Sequence, residues 1–324
     1  MRLSIVVPCF NEEATLPELH RRATHAAEAS VGHDFELVLV NDGSRDRTWQ
    51  AMQTLADDDT RIVAVNLSRN HGHQLALSAG LSIAQGDRVL VLDADLQDPP
   101  ELLPEMMRLM DEGADVVFGQ RQHRDGESLF KRASARAFYR VLNWLSDVRI
   151  PVDTGDFRLM SRRAVTVLNS MPEAHRFIRG MVGWLGFRQV PIVYDRHPRR
   201  AGTTNYPLRR MIRLAIDAIT GFSIRPLRIA SMLGILFALL GLAGVLFSIW
   251  GWLFGWTVPG WTSVMVVILT VGGIQLTVLG IIGEYLGRLY IESKRRPLYV
   301  IDEIRRRDDH RPTYGDAGSS GDRE

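Results

Sequence analysis

Arg88-Val-Leu-Val-Leu-Asp93-Ala-Asp95-Leu-Gln97-Asp-Pro-Pro-Glu101 is the stretch on which the fold turns. Val89–Leu92 is apolar at every position, so neither face of the strand it forms looks onto water. Continuous apolar strands belong to parallel sheets covered on both sides. The run stops at two carboxylates, and a helix-forming stretch, Glu101–Glu112, follows. The pattern recurs along the chain. Leu3–Val7 precedes a helix over Ala14–Ala29, Phe35–Val40 precedes one over Thr48–Asp57, and Ile62–Val65 precedes the small-residue helix His73–Ala84. Val116–Phe118 reads as a fifth strand. This alternation predicts an α/β fold on a mostly parallel sheet. Ligands of such sheets bind beyond the carboxyl ends of the strands. The polar clusters Pro8–Glu13, Asn41–Asp46, Ser68–His73 and Asp93–Glu101 all fall at those ends.

Farther along, the reading is a helix near Ser128–Leu145, an extended piece over Phe157–Met160, a helix over Arg162–Asn169 and a strand over Phe187–Tyr194. An Arg-, Gly- and Thr-rich loop, Asp195–Pro207, follows. Pro207–Phe222 then carries an apolar helical stripe with Arg209, Arg210 and Arg213 off it. It reads as an amphipathic helix in a membrane interface, or else as a core-facing helix of the preceding domain. Ile229–Phe254 and Thr262–Tyr285 are each long enough to span a bilayer. Trp250, Trp252, Trp256 and Trp261 crowd the uncharged turn between them, and basic residues flank the outer ends. The positive-inside rule puts those ends, and the N-terminal domain, in the cytoplasm. Two buried core helices are the alternative.

The expected organisation is a catalytic domain over 1–206, the interfacial helix over 207–228, a transmembrane hairpin over 229–287 and a tail over 288–324. The tail reads as a basic juxtamembrane segment that becomes disordered after Ile304. The net charge of +2 gives no field that calls for nucleic acid, and the single Cys9 excludes an internal disulfide and a multi-cysteine zinc site.

Asp93 and Asp95 lie on the same side of an extended stretch and can address a hard divalent cation such as Mg2+ or Mn2+. So placed, the ion would neutralise a diphosphate leaving group. A strand-end pair that caps Pro99–Glu101, or is simply solvated, is the plainer reading. Asp42 could accept from a base or ribose, and Gly43 permits a tight turn. Asn11, Ser44 and Asp46 could equally cap helices. His71 and His73 flank Gly72 and read as a polar turn for want of a third ligand nearby. Glu284 and Arg288 form a structural i,i+4 pair.

The ordered set Pro8–Glu13, Asn41–Ser44, Asp93–Glu101, Thr154-Gly-Asp-Phe-Arg158 and Arg196–Tyr206 resembles the inverting family-2 glycosyltransferases with a GT-A, Rossmann-like fold. More narrowly it resembles the polyisoprenyl-phosphate glycosyltransferases, such as the bacterial glucosyltransferases of O-antigen modification, over roughly Leu3 to Ile304. The resemblance implies a nucleotide pocket of Pro8, Asn11, Glu13 and Asp42. It implies that Asp93 serves the nucleotide sugar, that Asp95 and Gln97 serve the metal, and that Asp156 lies near the sugar and the attacking oxygen. Arg121, Arg196, Arg199 and Arg200 would hold phosphate. Where the family often has Lys before the Tyr of its Gly-x-Ser/Thr-Lys-Tyr segment, this chain has Asn205, and Arg200 or Arg209 would substitute. The arginine run also suits anionic lipid head groups.

The function so implied is inverting transfer of one sugar, glucose from UDP-glucose first, to undecaprenyl phosphate at the cytoplasmic face of a bacterial inner membrane. Formamido-arabinose, an N-acetylhexosamine and mannose from GDP-mannose are the other donors. A phosphate monoester is largely a dianion at neutral pH, so Asp156 is expected to position it, with a base role as the alternative. The resemblance further implies a homo-oligomer. A processive polymer synthase would carry Gln-x-x-Arg-Trp, which is absent, and a dehydrogenase G-x-G-x-x-G after a strand, also absent. The competing reading of another class is a non-catalytic membrane adaptor that binds nucleotide or lipid.

Overall fold

The computed structural model describes residues 1–121, 154–195, 225–254 and 260–307. These divide into two units. One holds the sheet, its helices and the chain from Pro297; the other holds two long apolar helices.

The first unit is built on eight strands: β1 (Leu3–Cys9), β2 (Phe35–Asn41), β3 (Ile62–Leu67), β4 (Arg88–Val91), β5 (Val116–Arg121), β6 (Thr154–Ser161), β7 (Gln189–Tyr194) and β8 (Ile301–Arg305). Their order across the sheet is β7-β5-β6-β4-β1-β2-β3-β8. β1 pairs in parallel with both β2 and β4, and β2 in parallel with β3. The chain therefore builds outward from β1 in one direction and then returns to its other side, leaving a topological switch point between β1 and β4. β6 is antiparallel to both β4 and β5. Its first residues consequently lie where β4 ends, which carries Asp156 to Asp93: the register pairs Val91 with Arg158, and two further residues bring the two aspartates opposite one another.

Helices α1 (Leu16–Val31), α2 (Thr48–Asp58), α3 (His73–Ile83), α4 (Leu103–Asp111), α5 (Arg162–Ser170) and α6 (Ile178–Trp184) accompany the strands. Each strand residue of β1 and β2 is buried, as both-sided covering requires. Leu3, Ile5, Val7, Leu37, Leu39, Leu90 and Leu92 join Leu16, Leu19 and Ala23 of α1 and Met106 of α4 in one core. Each such side chain contributes about 1.5–3 kcal/mol by leaving water. On the other face α3 packs close because its residues are small: a Cβ at Gly80 would stand 2.3 Å from Val6 Cγ1. α5 begins at Ser161, whose Oγ accepts from Ala164 N (3.3 Å).

The mostly parallel sheet bears out the expected α/β fold, and all seven expected strands are present. Two elements were not expected. α6 contains Gly180 and Gly183, which leave no helical signal. β8 reads Ile-Asp-Glu-Ile-Arg, and its charges disguise an edge strand as tail. The segment 288–324 is thus corrected in part: its first residues continue a helix, and Ile301–Arg305 joins the sheet beside β3. Arg305 pairs there with Asp57 (2.8 Å).

In the second unit, α7 (Arg225–Leu253) and α8 (Trp261–Ser293) pack against each other and are long and apolar enough to cross a membrane. Their large side chains, Leu236, Phe247 and Leu276 among them, are exposed. α8 passes the expected end at Tyr285 because nothing breaks it before Pro297, and Arg288 Nε donates to Glu284 Oε1 (3.0 Å) across one turn. The expected helices near 128–145 and over 207–222 lie outside the described residues.

Candidate active site

The loops after β1 and β2 interlock beside the switch point. After β1 the chain turns at Asn11, which takes a positive φ of 58°. Asn11 N donates to Ser44 Oγ (3.0 Å), and Asn11 Oδ1 accepts from Arg45 N (2.8 Å). Glu13 Oε2 accepts from Arg47 N (3.2 Å). Pro8 is buried within β1, whereas Asn11 and Glu13 are exposed. The turn after β2 needs Gly43: its φ is 63°, and a Cβ there would lie 2.5 Å from Asn70 N. Asp42 is buried, and its two oxygens accept from His71 N (2.7 Å) and Gly72 N (2.9 Å). Burial pushes the Asp42 carboxyl up, against these two amides. In this structure Asp42 orders the loop after β3, and Asp46 takes the first amide of α2 through Thr48 N (3.1 Å), the capping role open to it from sequence.

The acidic centre lies at the ends of β4 and β6. Asp93 follows the strand, Leu96 takes a φ of 58°, and Gln97 N donates to Asp95 Oδ1 (3.2 Å). Non-glycine residues in the left-handed region are strained and gather at functional sites, and here two of the three described ones, Asn11 and Leu96, flank the switch point. Asp156 is 1% exposed. Arg179 of α6 donates from Nε to its Oδ1 (2.8 Å) and from its terminal nitrogen to Oδ2 (3.1 Å). Gln74 Nε2 donates to Oδ2 (3.0 Å), and His73 Nε2 stands 3.2 Å from the same oxygen. His73 Nε2 is also 3.5 Å from Asp93 Oδ1.

These partners decide the charges. Burial drives Asp156 up, but the hydrogen bond from His73 and the guanidinium of Arg179 outweigh it and hold the carboxyl well below the usual range. His73 moves the other way: burial lowers it, yet Asp156 and Asp93 raise it further. Asp93 is pushed up to about 6, first by burial and then by the charges of Asp156, Asp98 and Asp95, against the pull of His73. Arg158, buried beside Asp156, is brought down to about 10 by burial.

The donor set fits a divalent cation. Asp93 Oδ1 is buried and receives no hydrogen bond, and the carboxylates around it repel one another. Atoms of His73, Asp93 and Asp156 lie within 4.8 Å of one another. Of that trio, Asp156 is already engaged by a guanidinium, so the unmet demand for positive charge sits on the Asp93 side.

The structure thus brings Asp93, Asp95, Gln97 and Asp156 to one end of the sheet, with Pro8, Asn11, Glu13 and Asp42 at the adjoining strand ends. Arg121 closes β5, but its side chain, like all of Arg196, Arg199 and Arg200, lies outside the described residues. Sequence reasoning missed His73, Gln74 and Arg179. The reading of His73 as a plain polar turn is corrected: its partners come from β6, 83 residues on. Arg179, three residues after Arg176 in the stretch Arg176-Phe-Ile-Arg179-Gly, offered no motif that marked it.

Comparison with known proteins follows the same boundaries. The profile described as Glycosyl transferase family 2 matches residues 4–168, and that of the GtrB C-terminal hairpin matches residues 225–289. An uncharacterized glycosyltransferase of Bacillus subtilis, YkcC, is 43% identical over 304 residues, covering 94% of each chain. The bactoprenol glucosyl transferase of Shigella phage SfV is 39% identical over 93% of this chain and 98% of its own. A prophage bactoprenol glucosyl transferase homolog of Escherichia coli is 38% identical over 94% of this chain and 100% of its own. Because these matches run through the acidic centre and on through both apolar helices, the chain belongs to glycosyl transferase family 2, as a glycosyltransferase that carries a GtrB C-terminal hairpin.

Proposed function

We propose that this enzyme transfers one glucose from UDP-glucose to undecaprenyl phosphate, with inversion, at the cytoplasmic face of a bacterial inner membrane that its hairpin spans twice. The observation that carries the acceptor class is the match, through the acidic centre and both apolar helices, to full-length bactoprenol glucosyl transferases. Asp156, whose oxygens face Arg179, Gln74 and His73, is placed to position charge in that site. A phosphate monoester arrives already ionised, so alignment and charge stabilisation suffice. The names of the full-length relatives, bactoprenol glucosyl transferases, support glucose and a polyprenyl carrier.

In this reading Pro8, Asn11, Glu13 and Asp42 shape the nucleotide pocket, and Asp93 serves the nucleotide sugar. Asp95 and Gln97, with the open oxygen of Asp93 beside them, would hold Mg2+ or Mn2+, which when bound neutralises charge on the departing diphosphate. Asp156 lies near the sugar and the attacking oxygen and positions the groups that face it, Arg179, Gln74 and His73. Arg121, Arg196, Arg199 and Arg200 grip phosphate. The hairpin, flanked by Arg225, Arg228, Arg288 and Lys294, keeps the catalytic domain on the side where positive charge is retained.

The test is a donor panel: purified protein, undecaprenyl phosphate, a divalent cation and labelled UDP-glucose, UDP-N-acetylglucosamine, UDP-formamido-arabinose and GDP-mannose. Label passing to the organic phase from UDP-glucose alone supports the reading. Label from another donor replaces the sugar, and none from any donor removes the reaction.

A further inference from the structure

The strand that follows the second apolar helix is wired to the turn after β2. Asn66 Nδ2 on β3 donates to Asp302 Oδ2 on β8 (3.2 Å). Asn41 Nδ2 on β2 donates to Asn66 Oδ1 (2.7 Å). Ser44 N donates to Asn41 Oδ1 (3.1 Å), and Ser44 Oγ accepts from Asn11 N (3.0 Å). One line of hydrogen bonds thus crosses three adjacent strands and ends in both loops of the switch point.

The line has a direction, and Asp302 sets it. An ionised carboxylate only accepts hydrogen bonds. It therefore turns the Asn66 amide so that its NH2 faces β8 and its carbonyl faces β2. That carbonyl turns Asn41 the same way and leaves the Asn41 carbonyl to receive the Ser44 amide. Reversed, Asn41 would set its own NH2 against the Ser44 N–H, donor against donor. The backbone is shaped for this contact. Asn41 and Asn66 are register partners, while the β3–β8 ladder pairs Asn66 with Glu303 and Leu67 with Ile301, leaving Asp302 as the extra residue of a bulge. Bulges re-aim side chains and occur beside active sites.

We propose that Asp302 is a positioning residue for the nucleotide pocket: through Asn66 and Asn41 it fixes the Asp42–Ser44 turn and the loop at Asn11. The strand β8, which lies beyond the hairpin, is then a working part of the donor site. This rests on the reading of those loops as the nucleotide pocket, and the readout is chosen so that the two fail separately.

The experiment measures Kd for UDP and for GDP, donor KM, kcat and Tm in full-length protein. Asp302→Ala is expected to weaken nucleotide binding and raise donor KM by about three- to tenfold, the size of one lost charge-assisted hydrogen bond near the surface, with kcat within about twofold. Asp302→Asn, which still accepts, stays near wild type. Asn66→Ala combined with Asp302→Ala is no worse than the larger single effect, because both cut one line. Arg305→Ala loosens β8 at its Asp57 ion pair without touching the line, so it lowers Tm and leaves nucleotide affinity unchanged. An unaltered Kd in Asp302→Ala, or an equal loss in Arg305→Ala, overturns the proposal. A wild type that binds neither nucleotide overturns it together with the donor pocket. A wild type that binds one and transfers nothing contradicts the proposed reaction alone.

Discussion

Removing the guanidinium of Arg179 tests the state of the acidic centre. The Arg179→Ala change deletes two hydrogen bonds to Asp156, from Nε (2.8 Å) and from the terminal nitrogen (3.1 Å), and leaves a carboxylate whose side chain is 2% exposed. Breaking a buried ion pair by removing one partner costs about 3–5 kcal/mol. Two features reduce that here. The Arg179 side chain is itself 34% exposed, so solvent screens it, and Gln74 and His73 still face Asp156. About 2–3 kcal/mol is the expected loss of folding stability, read as a lowered Tm; transfer also falls, by about 30- to 150-fold where the same contact is needed in the transition state. Donor KM should change little, because the bonds from Arg179 act on Asp156, at the ends of β4 and β6. Arg179→Lys keeps the charge without the two-pronged contact and should fall between the two. The assay is initial-rate transfer of labelled glucose to undecaprenyl phosphate over a donor series, with Tm measured alongside. A variant with both wild-type Tm and wild-type kcat, the latter measured where the protein is fully folded, would refute the assignment of Arg179 as the residue that holds Asp156.

Other perturbations follow from the same geometry. Asp95→Ala should reduce transfer at least about 100-fold and abolish its response to Mg2+ or Mn2+, read by titrating metal into chelator-stripped enzyme. Gly43→Ala places a methyl group 2.5 Å from a backbone nitrogen at positive φ and should cost at least about 2 kcal/mol, read as a lowered denaturation midpoint. Asp59 is held at about 2 by its hydrogen bonds from Arg61. Its folded pKa lies below the unfolded value, so the stabilisation of about 2 kcal/mol is present above pH ~4 and disappears as pH falls toward 2. Arg61→Ala should therefore destabilise the protein at neutral pH and converge with wild type in acid, as followed by unfolding across that range.

The sequence made the parallel half of the sheet legible because each strand there is buried on both faces and reads as an apolar run. Val89–Leu92 and Phe35–Val40 need no tertiary information. The β8 strand needed it: Ile301 and Ile304 amid three charges carry no strand signal until β3 offers an edge. The acidic residues were legible by their position after β4, and Asp156 by its motif. Their electrostatics were not. Arg179, Gln74 and His73 come from two helices about 100 residues apart in the chain, and only the antiparallel insertion of β6 beside β4 sets Asp156 between them. The role of Asp42 also changed on seeing its partners, since the amides of His71 and Gly72 lie 29 and 30 residues on, beyond α2 and β3, but adjacent across the sheet end.

The central claim is transfer to an acceptor that brings its own negative charge. The most direct measurement compares undecaprenyl phosphate with undecaprenol, the same chain ending in a neutral hydroxyl, as acceptors for labelled UDP-glucose under identical conditions. The account predicts label in the phosphate and none above background in the alcohol. Comparable transfer to the alcohol would contradict it, because a neutral hydroxyl must give up a proton during transfer whereas the phosphate arrives ionised.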